Sequence, residues 1–125
     1  MTIQEALNFS AIYPELASLK MPFDIALKLH KINLEATEAS KFYQTKLEEL
    51  ISEYGERDEN GELKTTDTGV SLKQETADEC RKKLDELQAT EWETFDLTFS
   101  EEQLEKLERF ELTPVQIGAI YPFLS

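Results

Sequence analysis

Between Pro22 and Gly55 the apolar residues Ile25, Leu29, Ile32, Ala36, Ala39, Tyr43, Leu47, Leu50 and Tyr54 recur in steps of three or four. That is the period of an α-helix, so the spacing predicts one amphipathic helix over residues 23–54 with a single apolar seam. No proline or glycine interrupts it. Pro22 suits the first helical turn, where its missing N–H costs nothing, and Asp24 complements the positive end of the helix dipole. Gly55 reads as a left-handed C-cap. Ala36 and Ala39, in the middle of the seam, would let another element approach closely. At about 1.5 Å per residue such a helix is about 48 Å long. A compact globule of this chain length has a radius of gyration of roughly 14 Å and hence a diameter of about 36 Å. The pattern therefore predicts an elongated molecule.

Beyond the helix, Asn60-Gly61 signals a two-residue turn of the type that needs positive φ at both central positions. Residues 63–66 and 70–72 can flank it as a small β-flap, with Gly69 in a second turn. Residues 74–89 carry Ala77, Cys80, Leu84 and Leu87 on one helical face and read as an antiparallel return helix. Its length of roughly 24 Å covers only half of its partner. Upstream, residues 2–8 read as a short strand or extended arm, after which Ser10 caps a short helix bearing Ile12, Leu16 and Leu19. Downstream, Phe95, Leu97 and Phe99 alternate as a strand should over residues 92–99. Ser100 with Gln103 and Thr113 with Gln116 read as capping boxes, and Pro114 takes a first helical position. Ala11-Ile12-Tyr13-Pro14 and Ala119-Ile120-Tyr121-Pro122 repeat four residues. They are not read as a structural repeat, because no full supersecondary period accompanies them.

The expected fold class is α+β, mainly α: a long antiparallel helical hairpin with a small β-hairpin flap at its tip, and a strand and short helices at its base. All of it fits one domain over residues 1–125, since a chain of 125 residues with 40% apolar content can bury one modest core. The parts are an N-terminal arm and short helix (1–21), the long helix (22–55), the flap (56–73), the return helix (74–90) and a strand with short helices (91–125).

Charge narrows the function. The chain carries 26 acidic and 13 basic residues, a net −13, and residues 1–34 are balanced at three of each, so the whole excess lies downstream. Direct nucleic-acid binding is disfavoured, because it needs clustered Lys and Arg. Cys80 is the only cysteine, so no internal disulfide forms, and a thiol resting in a helix core suits a reducing compartment. No basic leader precedes an apolar run, and no segment approaches a bilayer span. The chain reads as soluble and unsecreted.

Chemistry is sparse. His30 is the only histidine, which removes two-imidazole zinc sites. We expect His30 at the surface and Cys80 buried, rather than paired for catalysis. Asp58-Glu59-Asn60-Gly61-Glu62 has its glycine in the wrong place for a calcium loop and reads as a turn. The acidic pairs Glu48-Glu49, Asp85-Glu86 and Glu101-Glu102 lie on helices whose sides should be solvated, and carboxylate pairs do acid-base work only inside a cleft. No phosphate loop, nucleophile elbow or dinucleotide fingerprint is present. No catalytic residue, metal ligand or cofactor site is expected. Trp92, Phe95, Phe99, Phe110, Tyr121 and Phe123 make the C-terminal third aromatic; most should be core, and some could anchor a partner.

The helix start Met21-Pro22-Phe23-Asp24-Ile25-Ala26-Leu27-Lys28-Leu29, the turn Tyr54-Gly55-Glu56-Arg57-Asp58-Glu59-Asn60-Gly61-Glu62 and the closing Leu112-Thr113-Pro114 carry a resemblance. From about Ser10 onward the chain resembles a family of short proteins of unknown function from tailed bacteriophages and prophages. The resemblance implies a phage origin and no particular activity.

The expected function is that of a non-enzymatic phage interaction or assembly protein. It would bind itself or a virion, chaperone or tail component through the helical hairpin, in the host cytoplasm or in the virion, without membrane or nucleic acid. The alternative is an acidic inhibitor of a host defence or DNA-handling enzyme, whose carboxylates stand in for phosphates. Both readings point to Glu48, Glu49, Glu56, Asp58, Glu59 and Glu62 as partner-binding residues.

Overall fold

The computed structural model describes residues 1–66, 69–94 and 97–124; the expected strand residue Phe95 lies outside them. Among the described residues the chain is mainly helical. Five α-helices run as α1 (Ile3–Ala17), α2 (Phe23–Tyr54), α3 (Ala77–Gln88), α4 (Glu101–Glu108) and α5 (Pro114–Ile120), with a 3₁₀ turn at Tyr121–Phe123. One short antiparallel strand pair joins β1 (Thr65–Thr66) to β2 (Gly69–Val70). The contacts divide the chain into two compact units, one of residues 1–40 with 91–125 and one of residues 41–90.

The first unit opens with a departure from expectation. Residues 2–8 are neither strand nor arm, and Ser10 caps nothing. A single helix starts at Ile3 because Thr2 and Glu5 cap each other: the Glu5 N–H donates to the Thr2 hydroxyl at 3.1 Å and the Thr2 N–H donates to the Glu5 carboxylate at 2.7 Å. Ile3, Ala6, Phe9 and Leu16 fall on the buried face of this helix. Phe9 meets Phe123 edge to face, with ring centroids 5.8 Å apart. Pro14 lies inside the helix, which ends three residues later at Ala17.

The α2 seam enters the same core. Ile25, Leu29, Ile32, Ala36 and Ala39 are buried together with Leu97, Phe99, Leu107, Ile120 and Phe123. Pro22 precedes the helix, and its carbonyl accepts the Ala26 N–H at 3.0 Å. Polar positions beside the seam fasten α2 to α4. Lys106 pairs with Asp24 at 3.3 Å, and Gln103 takes part in its own capping box with Ser100 while accepting from Lys28 at 3.1 Å. The expected capping box at Thr113 and Gln116 is present as well, with Pro114 in the first turn of α5.

The expected strand over residues 92–99 is reduced, among the described residues, to one isolated bridge at Phe99, with another just before it at Glu91. Thr2 pairs with Glu91 and Phe99 pairs with Leu124, two different partners, so no continuous ladder forms. The two Ala-Ile-Tyr-Pro copies occupy unlike environments: Ala11 is exposed and Ala119 buried, while Tyr13 is half-buried and Tyr121 exposed.

The second unit holds the rest of α2, the strand pair and α3. Three backbones close on one another. The Glu56 N–H donates to Ser71 at 2.7 Å, the Lys64 N–H to Glu56 at 2.8 Å and the Ser71 N–H to Lys64 at 2.9 Å. Gly55 is not a left-handed cap, since its φ falls outside that region. Glycine is required there by close approach: a Cβ would collide with the Ile51 carbonyl and the Leu63 side chain. Tyr54 and Cys80 are buried, whereas Tyr43, Leu47, Leu50, Leu84 and Leu87 are half-buried.

The packing of the first unit sets what its side chains are worth. Leu29→Ala, at a site 3% exposed, should cost about 2–5 kcal/mol in urea denaturation. Leu34→Ala, on the same helix but 54% exposed, should stay within about 0.5 kcal/mol. Burial pushes the Asp24 carboxyl up, but hydrogen bonds from Lys106 and Gln103, the Lys106 charge and the Ile25 N–H outweigh it and hold the group below its ordinary 3.8. A depressed carboxylate contributes stability above its unfolded value and loses it as pH falls through the folded value. The stability gap between the parent chain and Asp24→Asn should thus be full at neutral pH and close below pH 3.8.

Candidate functional site

The six acidic residues singled out by the sequence all lie in the second unit. Glu48 and Glu49 are exposed near the end of α2, where Glu49 pairs with Lys46 at 3.3 Å. The other four belong to the segment that follows the helix, and two of them are consumed by their own fold.

Glu56 sits at the three-backbone closure. Its carboxylate accepts the Ser71 hydroxyl at 3.0 Å and pairs with Lys64 at 3.5 Å, so the side chain repeats the connections its backbone makes. Asp58 shapes the following turn. One of its carboxylate oxygens accepts the N–H of Asn60 at 2.8 Å and that of Glu62 at 3.0 Å. This side-chain capture moves the turn by one residue. The Gly61 N–H donates to the Asp58 carbonyl at 3.0 Å, which makes Glu59 and Asn60 the central residues and leaves Gly61 after them, at a φ of 80°. The expected two-residue turn centred on Asn60-Gly61 is therefore a three-residue connection with a left-handed glycine. Glu59 and Glu62 are exposed beside it.

An open groove of about 450 Å³ lies in the same unit. Phe42, Leu50 and Leu87 supply its apolar lining, and Lys46, Lys83, Glu49, Glu53 and Glu86 its charged lining. Of the six acids only Glu49 reaches it. Lys46 stands 5.7 Å from the Phe42 ring centroid, and Lys83 stands 5.1 Å from that of Tyr54. Both cations are held on aromatic faces beside acidic partners. The groove is thus a mixed apolar and charged surface rather than a polar pocket with one convergent charge.

Cys80 is buried on α3, and burial pushes its thiol above the ordinary 9.0; Glu53 adds to this, while Arg81 and Lys83 oppose it. The group stays a protonated thiol at neutral pH and is a poor nucleophile. His30 is exposed on α2 in the first unit. Among the described residues no three His, Cys, Asp or Glu side chains gather as a metal site, and no helix is long and apolar enough to cross a membrane.

Sequence periodicity did not reveal a second groove, of about 490 Å³, in the first unit. Leu104, Leu107, Leu112, Ile117 and Ile120 line it, with Glu108 and Glu111 as its charged residues. The signal was present as apolar spacing in α4 and α5. Nothing in that spacing shows that part of this face stays open.

The turn yields a test of which acids matter structurally. A Cβ at Gly61 would meet no atom within 4 Å, so Gly61→Ala is penalised by its backbone conformation alone and should cost about 1–2 kcal/mol in thermal or urea melts. Glu59→Lys and Glu62→Lys should leave the same melts within about 0.5 kcal/mol. No protein-family model, curated protein or solved structure matches the chain.

Proposed function

We propose that the chain is a non-enzymatic interaction protein that binds protein partners through the face formed by the end of α2 and α3. The reading takes these two helices as an antiparallel hairpin with residues 56–73 as a flap at its tip. Two contacts support that order: Tyr54 at the α2 terminus meets Lys83 in the middle of α3, and Tyr43 further back accepts a hydrogen bond from Gln88 at the end of α3, at 3.5 Å. The observation that carries the proposal is the half-open seam. Up to Ala39 the stripe is sealed; from Tyr43 to Leu50 it is only half-buried, and Phe42 next to it is 39% exposed. Apolar and aromatic side chains in an open groove bind best by excluding water against another protein. The phage resemblance makes virion, tail and assembly proteins the natural partners, in the host cytoplasm or the particle.

The second reading, an acidic mimic of nucleic acid, is favoured by the exposure of Glu48, Glu59 and Glu62. It ranks lower for two reasons. Glu56 and Asp58 are committed to the fold. Residues 41–90 also hold thirteen acids against eight bases, a net −5, so the second unit is no more acidic per residue than the rest of the chain.

Light scattering on the purified chain, alone and with the proteins encoded beside it, tests the proposal. We expect a stable complex with itself or with one neighbour, lost on Phe42→Glu with the fold intact. A strict monomer that binds none of them defeats the reading. For the mimic reading, inhibition undiminished at about 0.5 M salt would count against it, since exposed charges are screened within a few ångströms there.

A further inference from the structure

We propose that the apolar groove of the first unit is a second docking site, built for a basic amphipathic segment of another protein. It shares no residue with the α2 and α3 face and does not depend on that reading. The groove measures about 490 Å³, within the range of formed binding sites. Its lining is aliphatic and aromatic except for Glu108 and Glu111. Ile117, one of the lining residues, is 43% exposed. An apolar concavity held open to water is the feature that helical segments fill with side chains spaced three and four apart.

Charge selects the occupant. Residues 91–111 carry eight acids and two bases, Lys106 and Arg109. Lys106 is spent on Asp24 and Glu102, and among the described residues no cation lines the groove itself. An incoming Lys or Arg meets the Glu108 and Glu111 carboxylates; an incoming phosphate or carboxylate meets repulsion. Nucleic acid, anionic lipid and fatty acid are rejected on that ground. A second copy brings its own −13 and is disfavoured as well. A neutral apolar molecule would fit the volume but gain nothing from the two carboxylates. What remains is a protein segment with leucine-like side chains on one face and cations flanking them.

The probe is a fluorescein-labelled peptide of roughly 14 residues, with leucine at helical spacing and lysine elsewhere, near the length at which helices persist alone. A peptide with glutamate in place of lysine is its counterpart. Anisotropy titrations at about 0.15 M ionic strength should show binding of the Leu/Lys peptide only. Glu108→Lys with Glu111→Lys should weaken it roughly tenfold or more, and Ile117→Asp likewise. Glu48→Lys with Glu49→Lys makes the same change of charge in the other unit and should weaken it less than about threefold. Equal losses in the two charge-reversed variants would mean attraction to the whole acidic chain and overturn the site. So would binding of the Leu/Glu peptide, or no binding at all. If Ile117→Asp loses its far-ultraviolet helix signal, the test rests on Glu108→Lys with Glu111→Lys, which alters exposed side chains. Sedimentation that shows a parent dimer abolished by the latter variant would assign the groove to a second copy and overturn the proposal.

Discussion

Burial of the α2 seam from Ile25 to Ala39 is the interaction on which the first unit depends. A helix can bury only one face, and here that face is committed over five positions, so every other side chain of this stretch has its direction fixed. Asp24 is thereby placed against Lys106, and Lys28 reaches the Thr98 carbonyl at 2.6 Å while lying 5.7 Å from the Phe99 ring centroid. These polar contacts are half-exposed and individually weak. Their role is register: they add a directional preference to an apolar contact that has none of its own. Ala36 and Ala39 extend the seam without bulk, which explains how its middle can be sealed completely while Leu34, off the seam, remains in water.

The second unit is held by a different balance. Among its described residues Tyr54, Gly55 and Cys80 are fully buried, too few to close it by apolar burial. Closure comes instead from the cycle of hydrogen bonds joining Glu56, Lys64 and Ser71, reinforced by the Glu56 carboxylate. Each such bond contributes about 1 kcal/mol net, so the cycle works only if the backbones come very close. That proximity is why position 55 tolerates no Cβ. The same closeness explains the turn: with residues 57 and 63 paired, the intervening five residues must reverse direction sharply, and Asp58 fixes that reversal by satisfying two N–H groups with one oxygen.

Signals that act over a turn or less were the legible ones. The 3.6-residue period located α2 within its observed bounds, and the caps at Ser100 and Thr113 were readable because both halves of each reciprocal bond lie within four residues. The same rule applies to Thr2 and Glu5, whose reciprocal cap was readable in the same way although residues 2–8 read as a short strand or arm. Gly55 misleads for a deeper reason. Glycine signals freedom from a Cβ but not which freedom is used: Gly61 takes the expected positive φ in a turn shifted by one residue, whereas Gly55 supplies space beside Leu63. The alternation of Leu97 and Phe99 is real as burial, yet strand formation needs a neighbour, and the bridges at Glu91 and Phe99 go to separate segments. Of the six acidic residues, exposure was foreseeable for Glu48, Glu59 and Glu62. The structural duties of Glu56 and Asp58 arise from backbone groups brought near by folding.

Acidity by itself does not distinguish the two units. The second unit carries thirteen acids and eight bases over residues 41–90, and the remainder carries thirteen acids and five bases over half again as many residues, so the average net charge per residue is nearly the same in both. The negative field of either unit repels polyanions and attracts cations. Specific recognition needs a place where that field coincides with apolar surface that gains from leaving water, because charge alone is screened and apolar contact alone is undirected. Lys46 and Lys83 offset two of the three acids, Glu49, Glu53 and Glu86, that line the α2 and α3 groove. Glu108 and Glu111 line their groove with no such counterweight. The two grooves therefore differ in kind: the first is an apolar and aromatic surface carrying charges of both signs, while the second is apolar with carboxylates as its only charges.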